Sequence, residues 1–343
     1  MKLIIQIPCL NEAQTLPLTL ADLPRRIPGI DQIEVLVIDD GSTDGTAEVA
    51  RAQGVDHVVR FTRSKGLAAA FTAGIDACLK QGADVIVNTD GDNQYAGRDI
   101  PRLIEPLLAR RADIVIGDRN IRDIAHMSWP KKLLQRLGSW TVRQVSNTNV
   151  PDTTSGFRAY TREAALRMTI VSEFSYTLES IIQAGKKRMA VAHVEVSTNP
   201  HTRPSRLFSS VFGYVKQSAA TIVRIYSMYE PLKVFTYIGL AVFAAGFVLG
   251  LRLVYYYWIG EAARHITSAI AAAVLMIVGF QVLVIGLLAD VISGNRKLLE
   301  DLLYRVRGME LRKRDPEPLN LGTPEPRNPG TPEPRNHETF TRG

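Results

Sequence analysis

Residues 87–98 read VNTDGDNQYAGR: the end of an apolar run, Val85–Asn88, that passes at once into Asp90, Asp92 and Gln94. Val and Ile suit a pleated, buried surface, and two carboxylates and an amide at alternate positions then gather oxygen at the carboxyl end of the strand. Alone, the stretch reads equally as a hard-cation site or as a solvated turn. Its surroundings bear on the choice. β-Branched runs recur at Leu3–Ile7, Ile33–Ile38, His57–Arg60 and Ile114–Ile116, and helix-like stretches separate them at Thr15–Leu23, Asp44–Gln53, Lys65–Lys80 and Asp99–Arg110. Near-continuous apolar strands alternating with crossover helices predict an α/β fold whose mostly parallel sheet is covered on both faces. Ligands of such folds bind beyond the carboxyl ends of the strands. Asn11-Glu12, Asp39-Asp40 and the pair Asp90 and Asp92 follow the first, second and fourth strands, so acidic strand ends converge on one edge.

From about Arg203 the character of the chain changes. Residues 206–232 mix aromatic, aliphatic and basic side chains at helical spacing, as an interfacial amphipathic helix does. Val234–Leu251 then runs without a charge, and Ile266–Ala289 is apolar apart from Gln281 and small polar residues. Each reaches the roughly 20 residues that cross the hydrocarbon of a bilayer. Tyr255, Tyr256, Tyr257 and Trp258 stand where a membrane interface is expected. Basic residues flank the outer ends of both runs (Lys216, Arg224, Lys233, Arg296, Lys297, Arg305, Arg307), which predicts a hairpin with both termini in the cytosol. The implied organisation is an α/β domain at 1–200, amphipathic helices at 201–231, membrane spans at 232–258 and 266–290, and a basic cytosolic helix at 291–314. A disordered tail at 315–343 follows, where GTPEPRN occurs twice.

Composition agrees with this division. The 343-residue chain carries a formal charge of +7, which favours anionic partners. Only Cys9 and Cys78 occur, too few for a disulfide framework, and they read as small buried hydrophobes in a reducing compartment. The opening MKLIIQIPCLNEA reaches Asn and Glu too soon to be a signal peptide.

Common site motifs fail. Counted from Asp90, a twelve-residue calcium loop puts Tyr95 where Gly is needed and Pro101 where Glu is needed; counted from Asp40 it ends on Arg51. No GxGxxG follows the first strand, and a P-loop is absent. Mg²⁺ or Mn²⁺ held by a few protein oxygens and completed by substrate phosphates remains.

The motifs IPCLNEAQTL, VLVIDDGSTDGT, KGLAAAFTAGI, VNTDGDNQY, IVIGDR and PDTTSGFRAY resemble, in order, those of family 2 glycosyltransferases with a GT-A fold. Within that family the chain is most similar to dolichyl- and polyprenyl-phosphate sugar synthases. The resemblance implies an inverting transferase that moves a sugar from GDP-mannose or a UDP-sugar to a polyprenyl phosphate at a lipid bilayer. It implies no nucleic-acid partner and leaves a homo-oligomer open. Pro8, Asn11, Glu12, Asp39, Asp40, Lys65 and Asp90 would line the nucleotide-sugar pocket, and Asp90, Asp92 and Gln94 would hold the metal. Arg119, Lys131, Lys132, Arg136, Ser155, Arg158, Arg203 and Arg206 would receive the acceptor phosphate, with Asp92 and Arg119 the residues closest to catalysis. The alternatives are another lipid or glycan acceptor, or a non-catalytic membrane scaffold.

Overall fold

The computed structural model describes residues 1–119, 140–171, 176–200, 220, 222–224, 226–260 and 265–314. Strands β1 (Lys2–Cys9), β2 (Gln32–Asp39), β3 (His57–Arg60), β4 (Val85–Asn88) and β5 (Ile114–Asp118) occupy the five expected places. Between them lie helices α1 (Leu16–Asp22), α2 (Thr46–Ala52), α3 (Leu67–Lys80) and α4 (Ile100–Leu108). Two further strands complete the sheet, β6 (Arg158–Thr161) and β7 (Val191–Glu195), with α5 (Arg162–Arg167) and α6 (Tyr176–Lys186) between them.

The sheet order is β3-β2-β1-β4-β6-β5-β7. All neighbours are parallel except β6, which runs antiparallel between β4 and β5. This reversal matters for the site. The start of β6 lies at the same edge as the carboxyl ends of its neighbours, with Arg158 opposite Asn88 on one side and Ile116 on the other.

Side chains alternate along the strands into two cores. Leu3, Ile5 and Ile7 of β1 face a layer built from α1, α2 and α4, whereas Ile4 faces α3, α5 and α6. Burial on both faces explains why these strands read as unbroken apolar runs.

Past the sheet, α7 (Pro231–Trp258) and α8 (Ile266–Arg314) form an antiparallel hairpin. Of their most apolar 18-residue windows, only 11% and 17% of residues are buried inside the protein, so these are not core helices. Their apolar surface needs an apolar solvent. Small residues recur every seven positions along the seam: Gly239 and Gly246 on α7, Ala272, Gly279 and Gly286 on α8. A Cβ at Gly279 would lie 2.5 Å from the Phe243 backbone nitrogen, and one at Gly246 2.8 Å from that of Met276. Only glycine permits so close an approach of the two backbones. Helix α8 does not stop at the end of the apolar run. Its 49 residues unite the second span and the expected cytosolic helix in one rod. That rod docks on the α/β domain, where Tyr304 Oη donates to Glu163 Oε2 at 3.0 Å and Arg307 Nη1 to the Met168 carbonyl at 3.0 Å.

Candidate active site

The loops after β1 and β2 are laced together. Asn11, at φ 56°, donates from its backbone to Ser42 Oγ (2.9 Å) and accepts from Thr43 N (2.9 Å), while Glu12 N donates to Thr46 Oγ1 (2.9 Å). Pro8 is buried in β1, and Glu12 is buried with Thr15 Oγ1 donating to its carboxylate at 2.6 Å.

The acidic strand ends divide by what already binds them. Asp39 is fully enclosed: Oδ1 accepts from Ser42 N at 2.8 Å, and Arg60 Nε stands 3.2 Å from Oδ2. Oδ1 thus fixes the turn, and Oδ2 has no hydrogen-bond partner among the described residues. Asp40 accepts from Ser64 Oγ (2.8 Å), Lys65 N (2.7 Å) and Gly66 N (3.0 Å), so its oxygens anchor the start of α3. Gly41 between them has φ 73°, and a Cβ there would lie 2.5 Å from the Arg63 carbonyl carbon, so this turn admits only glycine. Lys65 is exposed, its ammonium 4.6 Å from the Phe61 ring centroid.

Asp90 is different. It lies partly buried just beyond β4, and no donor among the described residues reaches its carboxylate. Burial, then Asp92 and Glu12 nearby, push this carboxyl up to about 7, with Arg119 pulling the other way. Asp92 is half-buried and accepts from Gln94 N at 3.2 Å, which turns the loop so that both acids stay at the edge. A bare carboxylate beside a second one, each disfavouring the other's charge, fits a divalent cation. Among the described residues no three His, Cys, Asp or Glu side chains form a complete cage. Asp90 and Asp92, with Gln94 alongside, would then supply part of the shell and leave the rest to phosphate and water. The loop is braced from outside by the chain after β7: Asn199 N donates to the Gln94 carbonyl (2.9 Å), and Tyr95 pairs with Thr198.

Arg119 follows β5. Its Nε and Nη2 grip Asp152 side-on at 2.7 and 3.1 Å, and Nη2 also reaches Thr154 Oγ1 at 3.0 Å. Nη1 has no partner among the described residues, and the side chain keeps 20% of its surface exposed at the site. Although burial opposes its ionisation, Arg119 and Thr154 hold the Asp152 carboxyl below the ordinary carboxylate range. Arg158 corrects its expected role. It is fully buried, and its guanidinium donates to the carbonyls of Ser155 (2.7 Å), Thr177 (2.8 Å) and Thr153 (2.9 Å) and to Ser180 Oγ (2.6 Å). A guanidinium so enclosed holds the loop before β6 and does not meet an acceptor phosphate. Ser155 is likewise fully buried, and its hydroxyl has no partner among the described residues. Lys131, Lys132, Arg136, Arg203 and Arg206 lie outside the described residues.

Sequence reasoning missed Tyr95, Asp152 and Gly156. Tyr95 Oη accepts from Gly156 N at 2.9 Å, its ring stacks on Phe157 (centroids 5.1 Å apart), and the Arg119 guanidinium lies 5.8 Å from its centroid. The only available signal was position, since all three sit within motifs read for other residues.

Residues 4–168 match the family described as glycosyl transferase family 2, and residues 230–294 match the GtrB C-terminal hairpin. The chain is 37% identical over 166 residues to an undecaprenyl-phosphate mannosyltransferase of Micrococcus luteus, a match covering 47% of this chain and 66% of that protein. It is 34% identical to a polyprenol monophosphomannose synthase of Mycolicibacterium smegmatis, covering 47% of this chain and 62% of that protein. Both matches thus span a little under two thirds of the relative's length. Along almost its whole length the chain resembles glycosyltransferase AglJ of Haloferax volcanii, at 30% identity over 86% of this chain and 96% of that one. Among solved structures, glucosyl-3-phosphoglycerate synthase from Mycobacterium tuberculosis, crystallised with Mn²⁺, UDP-glucose and phosphoglyceric acid, shares the fold. The TM-score is 0.54 at 22% identity, over 66% of this chain and 80% of that one.

Proposed function

The chain belongs to glycosyltransferase family 2, and from that membership we propose that it is a membrane-anchored inverting transferase that passes a sugar from a nucleotide diphosphate to a polyprenyl phosphate. The observation that carries this reading is the continuity of α8, which joins the sheet domain, at α5, to a lipid-facing hairpin through one rigid rod. A domain so tethered works on an acceptor whose reactive group lies at the membrane surface. The relatives named for undecaprenyl-phosphate and polyprenol mannosyl transfer support the same acceptor class.

In this reading the laced loops of Asn11, Glu12 and Ser42 form the wall against which the donor's nucleoside rests. Asp90 and Asp92, with Gln94, would hold Mg²⁺ or Mn²⁺. When bound, that ion offsets the negative charge that develops on the departing diphosphate. A phosphate monoester has a second pKa near 6 and is already largely an oxyanion at neutral pH, so it needs aiming more than deprotonation. Arg119 is fixed on one side by Asp152 and offers Nη1 to that oxyanion, at the side of the sugar away from the diphosphate. Both termini face the cytosol.

The test is direct. Purified protein is incubated with Mn²⁺ or Mg²⁺, a panel of GDP- and UDP-sugars and a short polyprenyl phosphate, and radiolabel is followed into the organic phase. Label with one donor class supports the proposal and names the base; label in no combination favours the scaffold reading. A cysteine placed at Gly260 is expected to react with an impermeant reagent outside intact cells, and one at Asn320 is not. The reverse pattern removes the proposed topology.

A further inference from the structure

Resting on the metal reading above, we infer that Gly156 is a positioning residue for Asp90: having no side chain, it lets the loop before β6 close on that carboxylate and fixes where it points. A Cβ built at Gly156 would lie 3.0 Å from each Asp90 carboxylate oxygen and 3.0 Å from the Tyr176 hydroxyl. Three groups share one small space, and two of them cannot yield. The Tyr176 ring is stacked on Phe71 with centroids 3.9 Å apart, and its hydroxyl receives Asn88 Nδ2 at 3.0 Å. The Gly156 backbone is pinned from both sides, its N–H donating to Tyr95 Oη (2.9 Å) and its carbonyl accepting from Asn88 Nδ2 (2.8 Å). Asn88 is itself fixed by Gln6 Nε2 at 2.9 Å, in the buried floor of the sheet. Only the Asp90 carboxylate is free of such bonds among the described residues, so an added methyl group displaces Asp90.

Gly156 does not have a positive φ, so alanine meets no backbone strain there and even lowers the entropy of the unfolded chain. A merely structural role therefore predicts little change. A positioning role predicts the loss typical of groups that orient metal ligands, roughly ten- to a hundredfold in metal affinity.

The experiment measures Mn²⁺ binding by electron paramagnetic resonance on the full chain in detergent, with UDP or GDP present, alongside thermal unfolding without metal. Wild type is expected to bind Mn²⁺ and Asp92→Ala to lose it; wild type without binding overturns the metal reading itself. Gly156→Ala is expected to fold, with at most a small drop in unfolding temperature from the tight contact with the Tyr176 hydroxyl, and to bind Mn²⁺ roughly ten- to a hundredfold more weakly. Equal Mn²⁺ affinity in Gly156→Ala and wild type overturns the inference while leaving the metal site intact. Should Gly156→Ala not fold, Tyr95→Phe, which releases the Gly156 N–H, is expected to weaken Mn²⁺ binding in the same direction by less. Unchanged affinity there overturns the inference in its place.

Discussion

At the carboxyl edge of the sheet, polar side chains compete for one another, whereas along the α7–α8 seam there is little polar to compete for. Asp39, Asp40, Asp152 and Arg158 at the edge are each bound by named donors or acceptors of the protein. Asp90 accepts no bond among the described residues, and that difference, invisible in the spacing of the acids, is what the proposed metal site rests on. In the hairpin the decisive groups are glycines, and what they decide is distance. The same absence of a Cβ serves both regions. At Gly156 it makes room for a carboxylate, and at Gly279 it makes room for another backbone.

The largest expected effect concerns the two acids of the β4 loop. Asp92→Ala abolishes transfer, Asp90→Asn reduces it by at least on the order of a hundredfold, and both stay folded because both acids lie at the sheet edge outside its two apolar cores. Activity of either variant in EDTA at the wild-type level would dissolve the contrast between Asp90 and its bound neighbours.

Next come the two arginines. Arg158→Met is expected to cost about 3–5 kcal/mol of stability, because several buried carbonyls lose their donor; the folded fraction keeps its acceptor KM. Arg119→Ala leaves buried Asp152 unpaired, at a cost of about 3–5 kcal/mol, but it also lowers transfer to polyprenyl phosphate while sparing nucleotide-sugar binding. Chemical denaturation, donor calorimetry and acceptor kinetics separate these outcomes. If Arg119→Ala weakens donor binding as much as transfer, Arg119 belongs to the diphosphate site.

A smaller effect is expected in the hairpin. Gly279→Leu forces α7 and α8 apart and costs about 1–3 kcal/mol, whereas Gly250→Leu, where nothing lies within 4 Å of a built Cβ, is neutral or stabilising. Thermal unfolding in detergent compares them, and equal melting temperatures would remove the seam.

The smallest effect is one of pH. The Asp152 carboxyl is held below its unfolded value, so its contribution to stability is present above the ordinary carboxylate pKa of about 3.9 and fades as pH falls through the depressed value. Asp152→Asn should therefore show a flatter acid limb in stability against pH. An unchanged acid limb would assign the loss to other groups.

Five strands, four crossover helices and both apolar runs were legible in the sequence because burial on two faces and contact with lipid each impose a long, one-dimensional pattern. Strand β6 was not, since RAYT is short, carries an arginine and owes its place to β4 and β5 on either side. Roles at the edge were only half legible. The sequence by itself determined that Asp39, Asp40, Asp90, Asp92 and Arg119 meet at one rim, because each follows a strand of the same sheet. Only the tertiary structure decided which of them remain available. Arg158 is consumed by carbonyls from residues 153, 155 and 177, Asp40 by the turn that opens α3, and Asp90 by nothing among the described residues. The physical reason is that a hydrogen bond is made to whatever group folding brings within about 3 Å, and partners such as Thr177 for Arg158 and Ser64 for Asp40 stand 19 and 24 residues away along the chain.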